Sequence, residues 1–539
     1  MITTLNVSKR WLAPAWHSRY RDWLVVAVLW SLSLAGALSR PLMPIDETRY
    51  VSVAWEMWNA HAWWVPLMNG DTYADKPPLL FWLIHLGWTL FGVNDWWPRL
   101  ISPLASLVAM AHLYRLARRL GYAGSRARLA PLVLMSMLMW SLYSGALMFD
   151  VLLTACLLGV ISPLAGDRLS RARAVNAGVW LGLALLAKGP VALLVLAPIV
   201  LGMRWWRATP LGTEGRRHLV LALTLGMAIL LAWLLPAVVI GGKAYATDLL
   251  WSQSVDRLHD AMAHARPDWW YLPWLPVLAF PWSLWPAAWP ERPRHRHQRL
   301  AWFWLLPSLL VFSLISGKQI HYLMPLLPAL ALLIMDRLGQ RGGSLTGRQR
   351  GVALAIALLG LAGLGLGVLG HGVLNAQTLS PFGAAALLLW AALLWRQPRR
   401  HAARATRQLA LASGVAVLLA TQLLLGPLWS RYDVEAPGRL LAALELANVP
   451  VAFDGNGYQA TFQFAGRLQR PLLTLDGDAR SICEFQQSHP SGWLVGRSRD
   501  LSAWITRPTA AHVFDYRGGK LVIVPVDALD LGRSSVSCD

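Results

Sequence analysis

Thirteen apolar runs set the limits on this chain. They fall at 23–39, 98–117, 129–147, 150–165, 174–188, 190–203, 218–238, 272–290, 300–316, 320–336, 351–372, 381–395 and 408–426. Runs near 20 residues match the thickness of a bilayer. The charged fraction is 14%, against roughly 25% in soluble domains. The expected fold class is therefore a polytopic α-helical membrane protein of about 13 transmembrane helices, followed by a small soluble α/β domain. The first run follows Lys9, Arg10, Arg19 and Arg21. With no clear small-residue cleavage pattern behind it, it reads as an uncleaved span rather than a signal peptide.

The net charge of +21 would suit a nucleic-acid partner, but its distribution argues against one. Arginines sit in alternate short loops: Arg115, Arg118, Arg119, Arg126 and Arg128, then Arg168, Arg171 and Arg173, then Arg204, Arg207, Arg216 and Arg217. Further groups follow at 292–299, 337–350 and 396–407, whereas the intervening loop 373–380 has no Lys or Arg. Cytoplasmic loops carry this excess, so the pattern sets an orientation and leaves the C-terminus outside. Residues 79–93 are apolar but short. Counting them as a span would invert every later loop, so they are expected to lie in the interface. The first outer loop then runs from about 40 to 97, with a second interfacial helix near 51–60. A membrane domain over 1–427 and an outer α/β domain over 428–539 follow. In the latter, strands are expected at 449–453, 490–495, 511–515 and 520–525, a helix at 437–447, and a turn at 454–458.

Three cysteines, Cys156, Cys483 and Cys538, define no metal spacing. Cys156 reads as packing, and a Cys483–Cys538 bridge is left open. Many of the 31 tryptophans end apolar runs and are expected to form an interfacial belt.

The chemistry gathers on the outer side. Asp46 and Glu47 follow the first span, and adjacent acids point apart, so one of them is expected to reach a cavity. Arg49 is three residues on, on the face of Asp46 if a helix begins there, and Tyr50 adds a hydroxyl. Tyr73 and Asp75 flank Lys76, which the following Pro77 restricts to an extended shape and which is suited to a phosphate. Asp150 is an acid at membrane depth and demands a reason. Lys188 is a candidate counter-ion for it. The loop 239–271 offers Arg257, Arg266, His259 and His264; with an acid of the first loop such as Asp75, His259 is a candidate divalent-ion ligand. Lys318 and Tyr322 share a face if a helix has started there. Together Arg49, Lys76, Lys318 and a loop arginine would clamp a phosphate at the membrane surface. No nucleotide-binding glycine motif occurs.

Asp46-Glu47-Thr48-Arg49-Tyr50, Lys76-Pro77-Pro78-Leu79 and Phe312-Ser313 with Lys318, Tyr322, Leu323 and Pro325 resemble the bacterial aminoarabinose transferase family. That family lies within the GT-C membrane glycosyltransferases, which are related to protein O-mannosyltransferases. The resemblance implies an inner-membrane enzyme that moves 4-amino-4-deoxy-L-arabinose from undecaprenyl phosphate to lipid A phosphate on the periplasmic face. It implies catalytic roles for Asp46 and Asp150. Donor-phosphate contacts would come from Arg49, Lys76, Lys318, Tyr322 and a loop arginine, with Arg257 preferred to Arg266. Glu47, Tyr50, Tyr73 and Lys188 would line the sugar or acceptor pocket. The partners are the lipid-linked donor, a lipopolysaccharide acceptor and membrane lipids. The resemblance names no particular cofactor, a divalent metal at Asp75 and His259 is a candidate, and a monomer is expected. The family often reads Glu-Lys-Pro-Pro where Asp75 begins the motif here. Alternatives are a related transferase with another polyprenyl-phosphate sugar (galacturonate, mannose or a hexose) acting on lipopolysaccharide, glycan or protein, and a polyprenyl-lipid transporter.

Overall fold

The computed structural model describes residues 15–250, 266–340, 350–397, 402–455, 457–502 and 504–530. The chain opens with α1 (Ala15–Leu38) and α2 (Asp46–Asn59), followed by a hairpin of β1 (Leu67–Met68) and β2 (Asp71–Thr72). The hairpin turns on Asn69 and Gly70, both at positive φ, as a two-residue loop requires. Then come α3 (Leu79–Phe91) and α4 (Trp96–Arg119). Among the described residues, six helices are long and apolar enough to cross a membrane: Tyr20–Leu38, Trp96–Arg119, Thr213–Leu250, Ile320–Leu338, Arg350–Leu369 and Arg404–Leu424. Shorter apolar helices include Phe149–Leu164, Val191–Leu201 and Pro381–Trp395. The helical, polytopic architecture is as expected, and several of the thirteen runs are not single spanning helices.

Each departure has a local cause. The run 129–147 is split into Leu129–Ser136 and Leu138–Tyr143. Met137 between them is extended, and the Leu138 N–H bonds to the Phe280 carbonyl at 2.8 Å rather than along a helix. The run 272–290 is a series of short turns, because Pro273, Pro276, Pro281, Pro286 and Pro290 remove donors and block helical continuation. At Gly189-Pro190 the chain breaks between Arg171–Lys188 and Val191–Leu201, with Gly189 at φ 57°. A Cβ is disfavoured at that angle.

The first loop returns to the side from which it left. Arg99, early in α4, donates from Nη1 to the Arg40 carbonyl just past α1 at 2.7 Å. The 13 residues of α3 span only about 20 Å as a helix, short of the roughly 30 Å hydrocarbon thickness of a bilayer. Leu80, Phe81, Ile84 and Trp88 of α3 are buried, while Leu86, Leu90 and Phe91 are exposed. The arginine loops meet at the opposite end. Buried Asp22 pairs with Arg128 at 3.1 Å and Arg407 at 2.8 Å, and Arg119 donates to Ser162 at 3.0 Å.

From 435 on, a five-stranded sheet has the order β4-β3-β5-β7-β6, with β3 (Val451–Asp454), β4 (Leu473–Leu475), β5 (Trp493–Arg497), β6 (His512–Tyr516) and β7 (Gly519–Pro525). β3 is parallel to β4 and β5, while β5, β7 and β6 are antiparallel neighbours. The four expected strands and the helix (Glu435–Leu446) are present, and β4 is additional. The expected turn at 454–458 includes residue 456, which lies outside the described residues, as does Cys538. Cys156 is buried in the helical core.

The sheet unit grips the first loop. Phe464 stacks on Trp88 of α3 with centroids 5.4 Å apart, and Trp55 Nε1 donates to the Leu468 carbonyl at 2.8 Å. Asn69 donates to the Leu472 carbonyl and accepts from the Leu472 N–H, both at 2.9 Å. The tryptophan belt is partial. Trp63, Trp64, Trp96 and Trp269 are exposed, but Trp206, Trp282 and Trp285 are fully buried, because the turns that carry the last two pack inside the helices.

Candidate functional site

Two acids begin α2, where the positive helix terminus favours them, and they part immediately. Glu47 turns inward. It accepts both Arg40 guanidinium nitrogens at 2.5 and 2.8 Å, the Met43 N–H at 2.7 Å and the Leu147 N–H at 2.7 Å. Burial alone would raise its pKa, but Arg40 and the two N–H donors outweigh this and hold it below the ordinary carboxylate value. Glu47 is thus a clamp joining the end of α1, the start of α2 and the segment before Phe149–Leu164. All four of these contacts are made within the fold.

Asp46 turns outward, with 42% of its side chain exposed, and its Oδ1 accepts from Arg49 Nη2 at 2.6 Å. The expected shared face is therefore present. Arg49 Nη1 donates to Gln459 Oε1 at 2.6 Å, so the sheet unit helps hold it. Burial would favour the neutral guanidine, but the phenols of Tyr73 and Tyr50 and the carboxylates of Asp46 and Asp75 raise its pKa. The charge stays on Arg49. Tyr50 packs edge-on against Phe149 at 4.9 Å and Tyr73 edge-on against Phe81 at 6.4 Å. Burial, then Asp46 and Tyr73, push the Tyr50 phenol well up, so it remains a neutral hydroxyl.

The second half of the site comes from two helix ends. Asp150 lies in the first turn of Phe149–Leu164, and Lys188 in the last turn of Arg171–Lys188. Each sits at the terminus whose dipole favours its charge. Lys188 Nζ is 2.5 Å from Asp150 Oδ1, and Asp150 is 2% exposed. The counter-ion expectation is met. His321 Nε2 lies 3.8 Å from Asp150 Oδ2. Lys188 Nζ stands 4.5 Å from the Tyr322 ring centroid, and Tyr143 faces His321 at 5.7 Å.

The two halves meet. His321 is within electrostatic reach of Asp150, Lys188, Asp46 and Lys76, and Tyr50 feels both Asp46 and Asp150. Lys76 is half-buried and donates to the Asp75 carbonyl at 3.3 Å. A Cβ at Gly189 would stand 3.8 Å from Pro77, which places this segment beside the Lys188 helix end. The result is a mixed-charge cluster in which Arg49, Lys76 and Lys188 stand among Asp46, Asp75 and Asp150, so that cations able to meet a phosphate lie next to acids.

Lys318 is elsewhere. Its buried ammonium donates to the Arg266 carbonyl at 2.9 Å and the Ile315 carbonyl at 2.6 Å. The 3-10 turn begins only at Ile320, so Lys318 and Tyr322 share no helix face. It pins the chain at Arg266. Arg266 is exposed. Arg257, His259 and His264 lie outside the described residues. Among the described residues no three His, Cys, Asp or Glu groups are placed to hold a metal ion. Sequence reasoning passed over Arg40, Tyr143, Gln459 and His321. Only His321 had a usable signal, as a polar neighbour of Tyr322 at the start of an apolar run.

The whole architecture has a close structural counterpart. The crystal structure of ArnT from Cupriavidus metallidurans bound to undecaprenyl phosphate aligns with a TM-score of 0.73 and 22% identity, over 93% of this chain and 97% of that one. The chain has a GT-C-like fold. The archaeal oligosaccharyltransferase AglB from Archaeoglobus fulgidus shares this GT-C-like arrangement more distantly, with a TM-score of 0.51 and 12% identity over 90% of this chain and 70% of that one. Residues 75–239, which include Lys76, Asp150 and Lys188, match the family described as dolichyl-phosphate-mannose-protein mannosyltransferase. In sequence the chain is 33% identical to the undecaprenyl phosphate-alpha-4-amino-4-deoxy-L-arabinose arabinosyl transferase of Pseudomonas paraeruginosa over 367 residues, 64% of this chain and 65% of that protein. The corresponding transferase of Pseudomonas aeruginosa (strain UCBPP-PA14) is 33% identical over 365 residues, again 64% and 65%. The matched region thus spans just under two thirds of these curated relatives.

Proposed function

We propose that this chain is a membrane glycosyltransferase that moves 4-amino-4-deoxy-L-arabinose from undecaprenyl phosphate to a phosphate of lipid A. The observation that carries the reading is the pairing of half-exposed Asp46 with charged Arg49, where Asp46 joins the Asp150–Lys188 pair and Lys76 within electrostatic reach of His321. Similarity to arabinosyl transferases and to a fold solved with undecaprenyl phosphate supports the choice of donor. In this reading the arginine-rich end faces the cytoplasm, and the Asp46 end, with the unit at 428–539, faces the periplasm of the inner membrane.

The chemistry follows from the charges. The bond between the sugar's anomeric carbon and the lipid phosphate oxygen breaks, and the electron pair leaves with the phosphate. Arg49 and Lys76 offset the charge that develops there. An acceptor phosphate oxygen forms the new bond from the opposite face, which inverts the anomeric centre. That oxygen is already anionic and needs little base catalysis. Asp46 orients the acceptor or stabilises positive charge at the anomeric carbon, while Asp150, fixed by Lys188, holds the pocket's shape and sign. The hydroxyls of Tyr50 and Tyr73 contact the sugar, and Tyr322 lies against Lys188 at its edge. A second reading keeps the reaction and changes the sugar or acceptor. The mannosyltransferase match over 75–239 favours it, and with a hydroxyl acceptor Asp46 becomes the general base.

Mass analysis of lipid A from Gram-negative cells that lack their own aminoarabinose transferase, with and without this chain, tests the proposal. A pentose-sized addition that depends on the chain is expected. Unmodified lipid A with the chain abundant in the membrane overturns the choice of substrate.

A further inference from the structure

The helices that carry Asp150 and Lys188 end, at their far termini, in a second polar space. Phe149–Leu164 and Arg171–Lys188 have 16 and 18 residues, so these termini lie about 25 Å from the pocket. There a cavity of about 610 Å³ is lined by Arg118, Arg119, Arg168, Arg173 and Arg207, with Asp167 as its one carboxylate residue. Topology accounts for arginines in these loops. It does not account for five from three separate loops converging on one cavity. Among the described residues none of the five forms an ion pair with a carboxylate, unlike Arg128 and Arg407 on the same face.

The cavity is built rather than collapsed. Arg207 is buried and donates to the carbonyls of Leu164, Gly166 (2.8 Å) and Asp167 (3.2 Å), which fixes the turn after Leu164. Thr209 ties the same turn through Asp167 at 2.8 Å. Three of the other four guanidiniums are each held at one nitrogen by a neutral oxygen: Arg118 by the Tyr122 carbonyl at 3.1 Å, Arg119 by Ser162 at 3.0 Å and Arg173 by the Arg168 carbonyl at 2.8 Å. Like charges held this close repel one another unless an anion joins them. Guanidinium forks suit phosphate oxygens, and basic pockets between helices at the cytoplasmic surface suit anionic lipid headgroups.

We propose that this cavity binds a phosphate group, presented by an anionic phospholipid of the leaflet opposite the catalytic pocket. That this leaflet is the cytoplasmic one rests on the orientation proposed above; the cavity itself does not. The site is distinct from the donor pocket, and a lipid seated there would brace the far ends of the two helices that position Asp150 and Lys188.

Native mass spectrometry of the purified full-length protein, titrated with phosphatidylglycerol or phosphatidylcholine, tests this. The wild type should retain phosphatidylglycerol in preference to phosphatidylcholine. An R119Q/R173Q variant should lose affinity on the order of tenfold, and R119K/R173K should recover most of it. Undecaprenyl phosphate binding should be unchanged in all three, which separates this site from the proposed donor pocket. Competition by millimolar inorganic phosphate as effective as that by the lipid supports the phosphate site and assigns it to a soluble anion. If R119Q/R173Q does not fold, R168Q, on the exposed rim, should weaken phosphatidylglycerol binding a few-fold. Equal phosphatidylglycerol retention by the wild type and the folded Gln variant would overturn the proposal, as would no preference over phosphatidylcholine.

Discussion

Glu47→Gln separates the clamp from the chemistry. In the folded chain Glu47 receives two bonds from Arg40 and two backbone N–H bonds, at 2.5 to 2.8 Å. Side-chain exposure is 6% for Glu47 and 13% for Arg40. Glutamine keeps one acceptor oxygen and the shape but loses the charge, so one N–H donor and the Arg40 guanidinium are left underpaired. Breaking a buried ion pair costs about 3–5 kcal/mol. The retained acceptor and the partial exposure of Arg40 bring this to about 2–3 kcal/mol. The same bonds set the angle at which α2 leaves α1, so Asp46 is displaced as well. The expected outcome is a thermal midpoint several degrees lower, together with reduced transfer, measured on detergent-purified protein by differential scanning fluorimetry and product formation. The loss should mirror the pH response of the wild type. The Glu47 pKa is depressed in the fold, so its stabilisation is complete above about pH 4.3 and is lost as pH falls through the lower folded value. A variant as stable as wild type at neutral pH, with full activity, would refute the clamp.

Three further perturbations follow from the same geometry. Lys188→Met leaves Asp150 buried without its counter-ion and should cost about 3–5 kcal/mol; Asp150→Asn added to it should recover part of the loss in a double-mutant cycle on thermal stability, and additive losses would contradict the pairing. Asp454, at the end of β3, has its carboxyl pushed up to about 6 by burial and then by Asp500 and Asp478. The fold therefore binds this proton more tightly than the unfolded chain does, so stability declines as pH rises from about 4 to about 6. Asp454→Asn should raise stability at pH 7 by about 1 kcal/mol, discounted for solvent screening, with no gain at pH 4; a gain independent of pH would refute the assignment. Phe464→Ala removes the ring stacked on Trp88 and should cost about 3 kcal/mol. Faster proteolysis at the junction of the first loop and the sheet unit should accompany it, and unchanged protease resistance would speak against that grip.

The charge alternation was readable before any coordinate because it reports on loops, and loops keep their side wherever helices break. The short run 79–93 was placed outside the count by that alternation, and the Arg99–Arg40 contact explains why. Helix continuity was less legible. Hydropathy averages over Pro273, Pro276 and Pro281, and it registers Met137 as one more apolar residue although the chain turns there. α2 begins at Asp46 rather than near 51, because the acids that read as loop also suit a helix N-terminus. β4 is three residues long, too short to alternate. At the site, Asp46, Arg49, Asp150 and Lys188 could be paired from spacing and from the cost of charge at membrane depth. Glu47 and Lys318 could not be assigned that way, since only the fold shows that each faces backbone groups. His321 and Gln459 depend on contacts across more than 170 and 400 residues, beyond any local pattern.

The central claim is that Asp46 acts on the substrate while its neighbour Glu47 acts on the fold. Transfer by purified, reconstituted protein supplied with undecaprenyl phosphate–aminoarabinose and lipid A, wild type against Asp46→Asn, tests it most directly. Asp46 is 42% exposed, so the variant should keep the wild-type thermal midpoint to within about 1 kcal/mol of stability. Its transfer should fall by at least about a hundredfold, as expected for loss of a group in contact with the reacting centre. Wild-type rates of product formation by a folded Asp46→Asn protein would contradict the account.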